Sequence, residues 1–200
     1  PAVVIQNDGE DTPDESMKPG NPEQLSGEEL RNIILEAGII GMGGAAFPTH
    51  VKLTPPTGKQ IDAVILNGAE CEPYLTCDYR LMLENPEDIL YGMKVIMKVL
   101  GVSEGYIGIE DNKPEAVRIL SSAAEKETGI RVVGLRTKYP QGSEKQLIYA
   151  ITGRQVPSGG LPMDVGAVVN NVGTAAAVAH AAREGEPLFR RVVTVSGGAV

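Results

Sequence analysis

From residue 26 onward, short and almost uninterrupted apolar runs alternate with longer stretches in which apolar residues recur every three or four positions. The runs are IDAVIL (61–66), YIGIE (106–110), IRVVGL (130–135), VGAVV (165–169) and RRVVTVS (190–196). Each is short enough for a strand, and IDAVIL, almost continuously apolar, has the character of a buried parallel one. Between them lie stretches with helix punctuation. Ser26 and Glu29 form a capping box ahead of Leu30, Ile33, Ile34 and Ala37, with Gly38 placed to end the helix. Asn85 and Pro86 open a second helix that buries Ile89, Leu90, Met93, Ile96, Met97 and Leu100 and stops at Gly101. Asn112 and Pro114 open a third, with Val117, Leu120 and Ala124 on one side. Ser143 caps a fourth through Leu147, Ile148 and Ile151, and the Ala-rich stretch 174–183 is a fifth. The alternation predicts an α/β fold, Rossmann-like, with a largely parallel sheet flanked by helices on both faces. Ligands of such sheets gather at the carboxyl ends of the strands.

Residues 1–25 differ. PAVVIQ has strand character, and NDGEDTPDESMKPGNPEQ after it is an acidic linker, so this stretch is expected to be a strand remnant of a preceding lobe plus linker, with the α/β domain over 26–200. Residues 1–30 hold Asp8, Glu10, Asp11, Asp14, Glu15, Glu23, Glu28 and Glu29 against Lys18 alone, which accounts for nearly all of the net charge of -8. The remainder is close to neutral and only 4% of residues are aromatic, so the electrostatic footprint of a nucleic-acid binder is missing. No window has the roughly 18 apolar residues of a spanning helix. Cys71 and Cys77, six apart and without further thiols, match neither a zinc nor a cluster motif, and His50 and His180 have no ligand companions in sequence, so no metal site is expected.

Four loops carry polar or glycine-rich chemistry. In GIIGMGGAAFPTHVKL (38–53), Gly41, Gly43 and Gly44 let backbone N–H groups approach an anion or a planar ring, and Lys52 adds a positive charge; a helix C-cap followed by a wide turn explains the same glycines. The loop follows a helix rather than a strand, which argues against an ordinary dinucleotide fingerprint. NGAECEPYLTCDYR (67–80) places Asn67, Glu70 and Glu72 directly after a strand, where a solvated acidic turn is the plain alternative. YPQGSEKQLIYAITGRQVPSGGLP (139–162) sets Gly142, Ser143 and Glu144 at a helix N-terminus, suited to phosphate or to simple capping. NNVGT (170–174) offers Asn170, Asn171 and Thr174, which bind ligands or make Asx turns.

In combination, GMGGAAFPTHVK, NGAECEP, GIE before a helix and NNVGT resemble, in the same order, the NADH-oxidising flavoprotein subunit of respiratory complex I. NGAECEPYLT, YIGIEDNKP, KYPQGSEKQLIYAITGR, VPSGGLP and NNVGTAAA are more similar still to the C-subunit family of Rnf-type membrane electron-transfer complexes, across about residues 1–200. The resemblance implies the fold of the complex I FMN-binding domain and a module that binds FMN and NAD(H) and passes electrons between NADH and iron-sulfur clusters or ferredoxin. It implies flavin contacts from Gly41, Gly43, Gly44, Lys52, Asn67, Glu70, Glu72, Gly142, Glu144, Asn170, Asn171 and Thr174. Phe47, Glu72 and Glu144 fall on positions that contact the nicotinamide nucleotide. No residue is expected to act as acid, base or nucleophile, because the flavin carries the chemistry. Met42, Ala46, Ala69 and Ser143 depart from the complex I pattern. The family further implies a position on the cytoplasmic side of the cell membrane, docked peripherally to other subunits, with iron-sulfur clusters only in the full-length protein, so that this chain is expected to be a fragment. A related corrinoid reductase of propanediol utilisation shares the domain, and a scaffold of the same fold that binds no flavin is the reading from another class.

Overall fold

Four parallel strands, β1 (Ala63–Gly68), β2 (Gly105–Glu110), β3 (Ile130–Leu135) and β4 (Ala167–Asn171), form one sheet in the order β3-β2-β1-β4. The computed structural model describes residues 3–10, 12, 17–18 and 20–198. Helices α1 (Gly27–Glu36), α2 (Thr49–Lys52), α3 (Cys77–Glu84), α4 (Pro86–Leu100), α5 (Pro114–Ala124), α6 (Glu144–Thr152) and α7 (Val172–Glu184) connect and flank the strands, with a 3-10 turn at Pro162–Val165.

The period-two geometry of β1 sorts its residues between two cores. Val64 and Leu66 join Ile107, Ile109 and Val168 under α1, α4, α5 and α7, where Leu30, Ile34, Met93, Ile96, Leu120 and Val178 are buried. Ile65, with Ala167, Val169 and Leu135, faces the opposite side and packs on Leu147 and Ile148 of α6. The chain steps from β1 to β2 to β3 in one direction and then returns past β1 to β4, and right-handed crossovers place the return helix α6 on the other face from α4 and α5. At about 1.5–3 kcal/mol for each fully buried large apolar side chain, the stripe of Ile89, Met93 and Ile96 makes α4 a main element of the larger core.

The expected capping box closes α1: Ser26 Oγ accepts from Glu29 N, and the Glu29 carboxylate accepts from Ser26 N at 2.7 Å. Gly101 ends α4 in the left-handed conformation, φ +66°. Other expectations are corrected. Ser143 flanks α6 without a side-chain cap, as Asn85 does α4, and Lys113, not Asn112, is the N-cap of α5. The stretch 67–80 is not loop throughout, because its last four residues begin α3. RRVVTVS is no strand: residues 190–196 lie outside any ladder, with Val193 and Val195 exposed. Val3, Val4 and Ile5 of PAVVIQ are likewise exposed and unpaired in any sheet, while Pro1 and Ala2, and Asp11, Asp14 and Glu15 of the acidic stretch, lie outside the described residues. Among the described residues no helix is long and apolar enough to cross a membrane.

Candidate functional site

The carboxyl ends of β1 and β4 meet the loop before α6 through side chains far apart in sequence. Lys52, the last residue of α2, donates from Nζ to the Val169 carbonyl of β4 and to Glu144 Oε1 at the start of α6, both at 2.9 Å. Asn67, near the end of β1, donates from Nδ2 to the Gly142 carbonyl at 2.8 Å, while its Oδ1 accepts from Ala69 N. Gly142 N in turn donates to Cys71 Sγ at 3.3 Å. A Cβ at Gly142 would stand 3.2 Å from that sulfur and 3.4 Å from the Asn67 amide nitrogen, so a side chain here would press on both.

The glycine loop is a pinned hairpin between α1 and α2, in the helix-to-helix context that its sequence indicated. Thr49 N donates to Ile39 O, Gly41 N donates to Phe47 O, and Ile40 pairs with Pro48 in an antiparallel bridge. Its tip is fastened to the start of α7: Met42 N donates to Thr174 Oγ1 at 2.9 Å, and a Cβ at Gly43 would stand 3.2 Å from Asn171 Cβ. Asn171 caps α7 through Oδ1, which accepts from Gly173 N. Thus Gly43, Asn171 and Thr174 form one cluster, and Lys52, Asn67, Gly142 and Glu144 another, on the same pair of strand ends.

Beside these lies a knot of charge withdrawn from solvent. Glu70 adopts a left-handed φ of +44°, and its carboxylate accepts from Asp78 N and Tyr79 N, so the first turn of α3 is capped by a residue outside the helix. Beneath it the buried Lys113 donates from Nζ to Ala69 O at 2.8 Å, to Asn112 Oδ1 and to Glu70 O, with Glu110 Oε2 at 3.7 Å. Asp78 Oδ2 accepts from Asn171 Nδ2 at 2.6 Å. Burial pushes the Asp78 carboxyl up to about 6, against the Asn171 hydrogen bond, which lowers it; Glu70 raises it further. Burial, and then the Asp78 charge, also raise the Cys77 thiol. The polar atoms of Glu70, Cys77 and Asp78 converge within 4.8 Å, but both carboxylates are already committed to the contacts above.

Two expected site residues stand apart from these networks. Phe47 is 49% exposed on the glycine loop, and Glu72 is exposed on the rim of a cleft of about 500 Å³ that also includes Tyr74, Lys138 and Tyr139. Gly41 serves the hairpin stem, and Gly44, at φ +155°, is open to solvent with room for a ligand or a neighbour. Asn170 is buried with its Nδ2 unpartnered among the described residues, as is Gln141 Oε1 in the loop before α6. Sequence reasoning gave no role to Cys71, Asp78 or Lys113. The signal for Lys113 was its place just after the carboxyl end of β2, but nothing in the sequence shows which carbonyls it meets.

A model of the Nuo51 FMN-binding domain family matches residues 34–180. The C subunit of the proton-translocating ferredoxin:NAD(+) oxidoreductase complex of Clostridium ljungdahlii is 57% identical over 100% of this chain and 44% of its own length. The C subunit of the Na(+)-translocating ferredoxin:NAD(+) oxidoreductase complex of Acetobacterium woodii is 52% identical over 100% and 45%, and the C subunit of the ion-translocating oxidoreductase complex of Rhodobacter capsulatus is 45% identical over 98% and 38%. The chain therefore spans less than half the length of these relatives. Among solved structures, a chain of an NAD+-reducing NiFe hydrogenase in its air-oxidised state superposes with a TM-score of 0.69 at 23% identity, over 88% of this chain and 34% of that one. The likeness is one of fold.

Proposed function

This chain belongs to the Nuo51 FMN-binding domain family, and on that premise we propose that it holds FMN at the carboxyl ends of β1 and β4 and receives the nicotinamide nucleotide beside it, as the NADH-linked module in the C subunit of an Rnf-type complex. The observation that carries this reading is a polar, glycine-lined node with buried hydrogen-bonding atoms left unpartnered next to it in the chain, Gln141 Oε1 beside Gly142 and Asn170 Nδ2 beside Val169, with Thr49 Oγ1 at the start of α2. Buried polar atoms without partners cost about 1–3 kcal/mol each, and a cofactor rich in carbonyl, imide and phosphate groups supplies both acceptors and donors for them. The bare glycines at 43 and 142 leave room where a Cβ would stand against Asn171 or Cys71, and Gly44 borders open space.

When bound, FMN supplies the exchange between two-electron hydride chemistry and one-electron transfer. The residues bind and orient. Lys52, held by Glu144 and by Val169 O, presents its positive charge with little side-chain freedom left to lose. Asn67 and Gly142 fix the α6 loop against β1, and Asn171 and Thr174 fix the glycine loop against α7. Glu70 shapes its loop by capping α3. Exposed Phe47 would offer a ring face for adenine, exposed Glu72 would offer an acceptor for the nicotinamide amide, and Glu144 would serve both ligands. In this reading iron-sulfur clusters belong to the full-length C subunit, which docks peripherally to the other subunits of a membrane complex at the cytoplasmic face.

The test is NADH added to flavin-loaded protein without oxygen. Bleaching of the visible flavin band is expected, and Phe47→Ala and Glu72→Gln should raise the NADH concentration for half-bleaching about tenfold while leaving FMN affinity within about twofold. A bound flavin that NADH leaves oxidised defeats the nucleotide half of the reading; a protein that never takes up flavin defeats all of it.

A further inference from the structure

The side-chain amide of Asn171 is gripped at both ends. Its Oδ1 accepts from Gly173 N at 2.8 Å and its Nδ2 donates to Asp78 Oδ2 at 2.6 Å, across 93 residues of sequence. The glycine loop rests on the same side chain, with a Cβ at Gly43 falling 3.2 Å from Asn171 Cβ. Among the described residues the Asp78 carboxylate has only the hydrogen bond from Asn171. The cations that act on it are engaged elsewhere, Arg191 with Met42 O and Lys113 with Ala69 O.

We propose that Asp78 is a positioning residue for the flavin site, a half-buried carboxylate on α3 that fixes the orientation of the Asn171 amide and, through it, the seat of the glycine loop at Gly43. The proposal rests on the flavin reading above. It adds a residue that touches no ligand, and it gives the site a dependence on pH.

The argument is one of bond strength. An N–H donating to a carboxylate makes a hydrogen bond about twice as strong as one donating to a neutral acceptor. With Asp78 ionised, Asn171 Nδ2 is held in place and Oδ1 stays on the α7 N-terminus. With Asp78 protonated, the bond becomes a neutral one, and the amide is free to trade partners. Because burial holds this carboxyl up near about 6, the change falls within the range a cell reaches. The groups that face Asp78 are Glu70 on the preceding loop, Cys77 beside it, Lys113 on the N-terminal side of α5 and Arg191 on the C-terminal segment; His180, Glu186 and Arg190 line the groove of about 330 Å³ onto which it opens.

Two measurements test it. In the 200-residue chain without flavin, side-chain amide resonances of Asn171 should shift with a midpoint near pH 6 in the wild type and stay flat in Asp78→Asn. An Asn171 signal that ignores both pH and the substitution overturns the proposal, whether or not flavin binds. With FMN, Asp78→Ala should raise Kd at least tenfold, Asp78→Asn should recover part of that loss, and the wild type should lose affinity between about pH 7.5 and 5 beyond whatever dependence Asp78→Asn retains. That residual dependence belongs to the flavin phosphate and the other groups. Equal affinities for the three proteins, with wild-type binding intact, overturn the positioning role while leaving the flavin reading standing. A wild type that binds no FMN, with the Asn171 titration present, overturns the flavin reading and with it the positioning role, leaving only the Asp78–Asn171 contact.

Discussion

On one face of the sheet, backbone meets backbone: a Cβ at Gly92 of α4 would stand 1.8 Å from Ala175 O of α7. On the other, near the strand ends, the same test at Gly142 finds the Cys71 sulfur at 3.2 Å and the Asn67 amide at 3.4 Å. The first contact closes an apolar core in which Met93, Ile96, Ala175 and Val178 are fully buried. The second closes a polar node whose members hydrogen-bond across 75 to 117 residues and leave Gln141 and Asn170, next to it in the chain, with unmatched atoms. The α4–α7 contact is held by apolar packing and is stable for that reason; the strand ends keep charge, an unmatched donor and an unmatched acceptor where a ligand can use them. Stability and recognition are thus assigned to different levels of the same sheet, the packed middle and the carboxyl ends of its strands.

Gly92→Ala should have the largest effect. The clash is with backbone, so α4 and α7 must separate, and a loss of about 3 kcal/mol or more is expected in urea denaturation. A loss below about 1 kcal/mol would break the comparison, since it would mean that this face is as yielding as the other.

Asp78→Asn should have the next largest effect, with the opposite sign. The folded-state carboxyl lies near about 6, above its ordinary value of 3.8. A raised carboxyl stabilises the fold below the unfolded value and loses that contribution as pH rises through the folded one. At about pH 7.5 the ionised, desolvated group therefore costs up to about 3 kcal/mol, which the neutral substitute removes. The variant should be more stable than wild type by roughly 2 kcal/mol at about pH 7.5, with the gain shrinking as pH falls from about 6 toward 4, while flavin affinity moves the other way. A variant less stable than wild type under those conditions would show that Asp78 belongs to the structural side of the comparison.

Lys52→Met should sharpen the contrast. The pair with Glu144 is partly exposed, 27% and 43% on its two side chains, so the stability change should be about 1 kcal/mol or less, yet FMN affinity should fall at least tenfold, read by fluorescence titration. Gly142→Ala should have the smallest effect on stability, within about 1 kcal/mol, because the far end of Cys71 can yield a few tenths of an ångström; a measurable loss of flavin affinity is its only expected consequence.

What the sequence disclosed follows the same division. The strands, α4, α5 and α7 were legible because burial on the apolar side leaves a periodic pattern, and Ser26 with Glu29 announced α1. The resemblance to the C subunit of Rnf complexes was legible because its loop motifs are long, and the relatives bear it out. Helix α3 was hidden, since Met82 is its one buried residue and its cap comes from Glu70, outside the helix. RRVVTVS has the alternation of a strand, yet a strand needs a partner, and residues 191–194 instead meet Met42 O and Thr76 N by side chains. The Asn67–Gly142, Lys52–Val169 and Asp78–Asn171 contacts were invisible for a simpler reason: they join separate segments, and no local pattern encodes them.

The most direct measurement is a titration of the 200-residue chain with FMN, following flavin fluorescence together with amide resonances. The account predicts one-to-one saturation, with shifts centred on Gly43, Asn67, Gly142 and Asn171 and little change at Gly92 or along the α4–α7 contact. Saturable binding whose shifts are centred on the α4–α7 contact, or no saturable binding at all, would contradict it.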